Sequence, residues 1–243
     1  GLVGSEMCIR DRLVATSVFS GDEAAVYFGY GSVAHLMVVA AINTYAYLDL
    51  TVIGVSDAVA GIAAAGTLTI TGPASSQGVV SLWVGNTRVD VAVSAADTAT
   101  LIAAAMKTAI DNQPELPVTA TVAAGVLTLT AKNNGAAGNG IRLRAQTTAS
   151  GTTTAVAAMA GGDIDPDIAP ALANVVAAGH NIIISPFSTQ TTLTALRTHL
   201  DFVSGPMEQR GAIGVAGWPG TLAAGTTLAS QLNGGRITLG WHN

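Results

Sequence analysis

Charge is what this sequence has least of. Of its 243 residues, 10 are Lys or Arg and 15 are Asp or Glu, so only 10% are charged, against roughly 25% in an ordinary soluble domain. Its solvated surface must therefore be built from Thr, Ser, Asn, Gln, Gly and Ala, and low charge alone does not indicate a membrane protein. The formal net charge is −5 and no basic stripe is present, which argues against direct nucleic-acid binding, because backbone phosphates demand clustered cations. The single cysteine, Cys8, excludes an intramolecular disulfide and a cysteine-rich metal site. Long apolar runs are also missing. The most apolar stretch, residues 33–46, contains His35, Asn43 and Thr44 and is too short to span a bilayer, so no membrane insertion is expected.

The opening residues 1–12, GLVGSEMCIRDR, have no signal-peptide hydrophobic core. They hold the only cysteine and two of the eight arginines, and differ in style from all that follows. They resemble a translated sequencing adapter and are expected to be a non-native leader, so Cys8 carries no functional weight.

What is present falls into three blocks. In the first, residues 23–60, a short apolar segment at 25–28 reads as a strand. It is followed by a Gly-Tyr-Gly turn, a helical run at 33–46 and a strand at 48–55. Strand, helix, strand is the order of a parallel βαβ unit. The second block, residues 61–162, predicts strands at 67–71, 79–84 and 88–93, the last on the alternation Arg88, Val89, Asp90, Val91. Gly85-Asn86 reads as a tight turn between two of them. Asp97 is the expected cap of a helix at 98–111 with a buried stripe of Leu101, Ile102, Met106 and Ile110. Strands at 118–122, 126–131 and 141–145 follow, with a Gly/Asn-rich loop at 133–140. The resemblance of Gly66-Thr-Leu-Thr-Ile-Thr71 to Gly125-Val-Leu-Thr-Leu-Thr130 reflects strand composition and not a duplicated unit.

Beyond Gly162 the α/β rhythm returns, with helices at 168–178, 191–203 and 222–232 alternating with strands at 182–185, 212–216 and 236–240. The expected fold class is α/β: a mostly parallel sheet shared by a discontinuous body, residues 13–60 and 163–243, interrupted by an inserted α+β module at 61–162. Such insertions are tolerated where their ends meet at the surface.

Candidate sites are few. Gly29-Tyr30-Gly31-Ser32-Val33-Ala34 has the G-x-G-x-x-A pattern at the entry to a helix, where backbone N–H groups of a dinucleotide fold approach a pyrophosphate. Gly and Ala are so abundant here that a tight turn is the favoured reading, with Asp57 the only acid proposable as a ribose partner. Asp163, Asp165 and Asp167 are spaced like the start of a calcium loop. Ile168 stands where that loop needs Gly, and Asn174 where it needs Glu, so Asp165 or Asp167 reads instead as a helix cap. His35, His180, His199 and His242 have no metal-binding spacing. Ser185 ends a strand but lacks the G-x-S-x-G elbow, and a triad with His180 or His199 rests on no geometry. Trp83, Trp218 and Trp241, with Tyr27, Tyr30, Tyr45 and Tyr47, read as packing or contact residues. No catalytic, cofactor-binding or metal-binding residue is assigned, and no cofactor is expected.

Several segments together resemble the contractile tail sheath proteins of Mu-like phages. These are Phe28-Gly29-Tyr30-Gly31-Ser32 with Leu36-Met37, Gly66 to Gly72, Ala158-Met159-Ala160-Gly161-Gly162, Asp165-Pro166-Asp167-Ile168, Ile183-Ile184-Ser185-Pro186-Phe187 and Gly205-Pro206-Met207. The resemblance runs from about Asp22 to Asn243. It implies a three-layer sheath body with a so-called subtilisin-like domain, named for architecture and not proteolysis, and an outward-facing insertion at 67–160. It further implies a non-enzymatic homo-oligomer, stacked as six-membered rings around a tail tube and contracting during DNA delivery. The implied partners are other sheath subunits, the tail tube protein, the baseplate and the tail terminator. The implied location is the virion tail, assembled in the bacterial cytoplasm. The family's N-terminal linker arm and C-terminal weaving domain have no counterpart here, so the sequence reads as a fragment. Two other functions stay open. One is a small α/β enzyme binding a nucleotide or phosphorylated ligand at Gly29 and Gly31; the other is binding of glycans or another surface partner by the insertion, for which clustered exposed aromatics would be the sign.

Overall fold

The computed structural model describes residues 13–241; residues 1–12, expected to be a non-native leader, and His242 lie outside the described residues. The first elements are β1 (Ala15–Ser17), α1 (Gly21–Phe28), α2 (Val33–Thr44) and β2 (Thr51–Ile53). Residues 25–28, read from sequence as a strand, are the last turn of α1. The reason lies just upstream. Ser20 accepts a hydrogen bond from the Glu23 amide, while the Glu23 carboxylate accepts one from the Phe19 amide at 2.9 Å. That is a variant of the Ser-x-x-Glu capping box. The two helices pack as a hairpin around Val18, Ala24 and Val38, and β1 pairs antiparallel with β2. No βαβ unit forms.

The middle of the chain folds as β3 (Ala63–Thr71), β4 (Gly78–Val84), β5 (Thr87–Val93), α3 (Ala99–Asp111), β6 (Val118–Ala123), β7 (Val126–Asn134), a 3₁₀ turn (Ala136–Gly140), β8 (Leu143–Thr147) and β9 (Thr153–Ala160). Two antiparallel sheets result, ordered β6-β7-β3-β9 and β5-β4-β8. The alternation in β5 buries Val89, Val91 and Val93 and exposes Arg88 and Asp90. Helix α3 buries Ile102, Met106 and Ile110 between the sheets, but Leu101 is 56% exposed and is no part of the stripe. Its cap is Thr98, whose hydroxyl accepts from the Leu101 amide; Asp97 instead accepts from the Ser94 amide. Leu68, Leu82, Leu127 and Leu129 are fully buried in the same cluster.

The last third contains α4 (Ala169–Val175), β10 (Ile182–Ser185), α5 (Gln190–Val203), β11 (Ile213–Trp218), α6 (Leu222–Leu232) and β12 (Ile237–Trp241). Strands β10, β11 and β12 form a parallel sheet, and Leu193, Leu196, Leu200 and Leu228 pack with Ile183, Ile237 and Leu239 in a second cluster. Gly214 is required in β11 because a Cβ there would lie 2.9 Å from Leu196 Cδ2. The opposite face carries Ile182, Ile184 and Ile213, all exposed.

The expectation of a mostly parallel sheet is therefore overturned. Among the described residues three of the four sheets are antiparallel, and only β10-β11-β12 is parallel. Nor do the outer blocks share one sheet, because β2 finds its partner in β1 and not across the insertion. The chain enters and leaves the middle segment at neighbouring points: the Ile62 amide donates to the Asp163 carbonyl at 3.0 Å, in an isolated antiparallel bridge.

Candidate functional site

The Gly29/Gly31 turn links α1 to α2, not a strand to a helix. Both glycines have positive φ, 86° and 73°, a region open to Gly at little cost. The donors that a phosphate would need are already engaged. The Gly31 N–H donates to His35 Nδ1 at 3.1 Å, Ser32 N–H to the Gly29 carbonyl, Val33 N–H to Asn133 Oδ1 at 3.2 Å, and His35 N–H to Ser32 Oγ. The approach is filled as well. A Cβ on Gly31 would fall on the Leu116 carbonyl and lie 2.8 Å from Lys132 Nζ. Lys132 donates to the carbonyls of Tyr30 and Pro114, at 3.0 and 2.6 Å. Its charge thus serves protein carbonyls, and burial lowers its pKa from the ordinary lysine value. Asp57, the proposed ribose acid, accepts from the side chain of Asn133 and the backbone amide of Asn134. The turn is a structural joint between the helical hairpin and the inner end of β7.

His35 is buried in this joint and edge-on to Tyr30. Burial, aided by Lys132 and opposed by Glu115 and Asp22, holds its pKa below 6.5. The folded chain thus favours the neutral ring whose Nδ1 accepts from Gly31. Between the lowered folded value and the unfolded value near 6.5, the unfolded chain binds more protons, so stability rises with pH. The His35 contribution is fully present above the unfolded value and is lost as pH falls through the folded one. Urea unfolding of the His35→Gln variant will show a shallower loss of stability than the unsubstituted chain between pH 7.5 and pH 5; parallel curves would refute this.

The remaining sequence candidates are dispersed. Asp163 accepts from its neighbour Ile164, Asp165 from the Ala137 amide in the 3₁₀ turn, and Asp167 from the Ala169 amide at the start of α4. Asp167 thus acts at the helix entry, and the three carboxylates do not converge. Among the described residues no group of three or more His, Cys, Asp or Glu is placed to hold a metal ion. The Ser185 hydroxyl is closed onto the backbone of Phe187 and faces no histidine partner. His180 and His199 do come together, lining a cavity of about 10 Å³ with Arg210. That volume suits at most one water molecule, and Arg210 is committed to the Val176 carbonyl and to Glu208.

Trp218 donates to the Thr221 carbonyl and Trp241 to the Gly220 carbonyl. Trp83 lies on the outer face of its sheet, directly across from Arg88 on β5 and Arg144 on β8. Sequence reasoning did not find Leu116, Lys132 or Asn133 as parts of the joint. The one available signal was that Lys132 is one of only two lysines in the chain.

No family model matches the chain. It is 33% identical over 224 residues to the Mu-like prophage FluMu tail sheath protein of Haemophilus influenzae, a match covering 90% of this chain and 46% of that protein. The chain thus spans about half the length of the curated relative it matches. At this level the match is a similarity to a Mu-like phage tail sheath protein.

Proposed function

We propose that this chain is a non-enzymatic, structural part of a contractile phage tail sheath. In this reading its copies assemble in rings around a tail tube and shift against one another during DNA delivery. The carrying observation is the similarity to a tail sheath protein across 90% of the chain, which takes in both the outer blocks and the middle segment. The filled Gly29/Gly31 turn supports it against a nucleotide-binding enzyme. The partners are then other sheath subunits, the tube protein, the baseplate and the tail terminator, and the location is the virion tail.

We further propose that residues 61–162 form an inserted unit standing on a body made of 13–60 and 163–241. Its separate hydrophobic cluster and the meeting of its ends at Ile62 and Asp163 support this division. The bare face of β10-β11-β12 supports assembly, since parallel sheets are ordinarily covered on both faces. Light scattering of the purified chain across a concentration series, with negative-stain microscopy of the large species, tests the reading. Rings, tubes or their arcs are expected, and Ile184→Asp on the bare face should abolish them. A monomer at every concentration that binds a nucleotide would overturn it.

A further inference from the structure

Cations are scarce here, and where they go unpaired is informative. The described residues hold eight: Lys107, Lys132, Arg88, Arg142, Arg144, Arg197, Arg210 and Arg236. Four sit in ion pairs, Arg88 with Asp90, Lys107 with Asp111, Arg197 with Asp201 and Arg210 with Glu208, and Lys132 is held by carbonyls. Of the three that remain, Arg142 and Arg144 stand two residues apart, so both leave the same face of the β8 strand. They line one open groove of about 710 Å³, together with Trp83, Asn86, Asn139 and Pro219.

The aromatic ring in this groove is already in use. Arg144 lies 4.4 Å from the centroid of Trp83 and Arg88 lies 5.3 Å from it. These cation–π contacts fix the plane of the Arg144 guanidinium and leave no bare platform for a sugar. Trp83 is also the only aromatic residue between 61 and 162, which removes the clustered aromatics that glycan binding would need.

The groove lies where β8 runs beside β9, with Ala158 in its wall. Strand β8 is hydrogen-bonded to β4 alone. Gly85 N–H donates to the Arg142 carbonyl, and Thr148 N–H to that of Val79. By the antiparallel alternation, Leu143, Ala145 and Thr147 turn their backbone groups away from β4.

We propose that this groove binds an acidic segment of a partner protein, with carboxylates paired to Arg142 and Arg144. The guanidinium fork matches a carboxylate in a bidentate manner. The proposal does not depend on the tail sheath reading. Charges on an edge strand also deter unwanted pairing, but that role alone predicts aggregation on neutralisation and no specific ligand.

The test is fluorescence anisotropy of a labelled ten-residue peptide alternating Glu and Val, titrated with the full chain at low and moderate salt. Saturable binding is expected. It should weaken about tenfold or more at the higher salt, where surface charges are screened, and by a similar factor in the double variant R142E/R144E. Arg236→Glu, which lies outside the groove, should leave it unchanged. If the charge reversal does not fold, as judged by circular dichroism, the double variant R142Q/R144Q replaces it and should lose the same binding. Absence of saturable binding would overturn the proposal. So would binding indifferent to both arginines, or a preference for oligogalacturonate of equal charge over the peptide.

Discussion

Gly31→Ala will destabilise the chain by about 3–5 kcal/mol, well above the typical cost of a point substitution. Two costs combine at this position. Placing a Cβ at a φ of 73° costs about 1–2 kcal/mol for an L-residue. The second cost is steric, because the new methyl would occupy the place of the Leu116 carbonyl and crowd Lys132 Nζ. Relief requires moving the 114–116 backbone, which breaks the Lys132 bond to Pro114 and disturbs the Gly31 bond to His35. Gly29 supplies the control. Its φ of 86° and ψ of 143° also favour glycine, yet a Cβ there would meet nothing within 4 Å, so Gly29→Ala should cost only the conformational part, about 1–3 kcal/mol. Urea midpoints of the two variants measure the difference. Equal costs would show that the contact of the hairpin with Leu116 and Lys132 is not close-packed in solution.

The same turn shows how far sequence carried the reading. A glycine pair before a helix is visible in one dimension, and so is the helix from Leu222 to Leu232, with a Thr221 hydroxyl accepting at its start and Asn233 left-handed at its end. The β4–β5 hairpin was equally legible, since Gly85 takes the positive φ that a two-residue loop requires. Local rules fix such features. Sheet membership is not local: the apolar residues of β2 would satisfy a parallel or an antiparallel neighbour, and β1 is only three residues long. β9 escaped because its Ala-rich sequence has weak strand propensity, and its place is set by pairing with β3. Residues 25–28 were misread because a four-residue apolar run fits strand or helix alike, although Ser20 and Glu23 carried the deciding signal. The joint itself was invisible, because Lys132 lies about a hundred residues from the turn it closes.

A different large effect follows from the two larger of the three hydrophobic clusters. Leu129 is fully buried in the cluster of the middle segment, and Leu196 is fully buried in the cluster beneath the parallel sheet. Truncating either to alanine removes Cγ and both Cδ atoms and leaves a cavity, at a cost of about 2–5 kcal/mol. No buried residue belongs to both clusters. If residues 61–162 fold as an inserted unit, the two costs must therefore be local. In a unit of this size, about 3 kcal/mol lowers the melting temperature by roughly 12–24 °C. Leu129→Ala should thus accelerate amide exchange from β3 through β9 while leaving β10 to β12 protected, and Leu196→Ala should do the reverse. Calorimetry should show one of two transitions moving in each variant. If instead either truncation accelerates exchange in both regions equally, the chain is a single cooperative unit. The short bridge between Ile62 and Asp163, with the joint at Gly31, would then couple the two cores as strongly as the packing inside either of them.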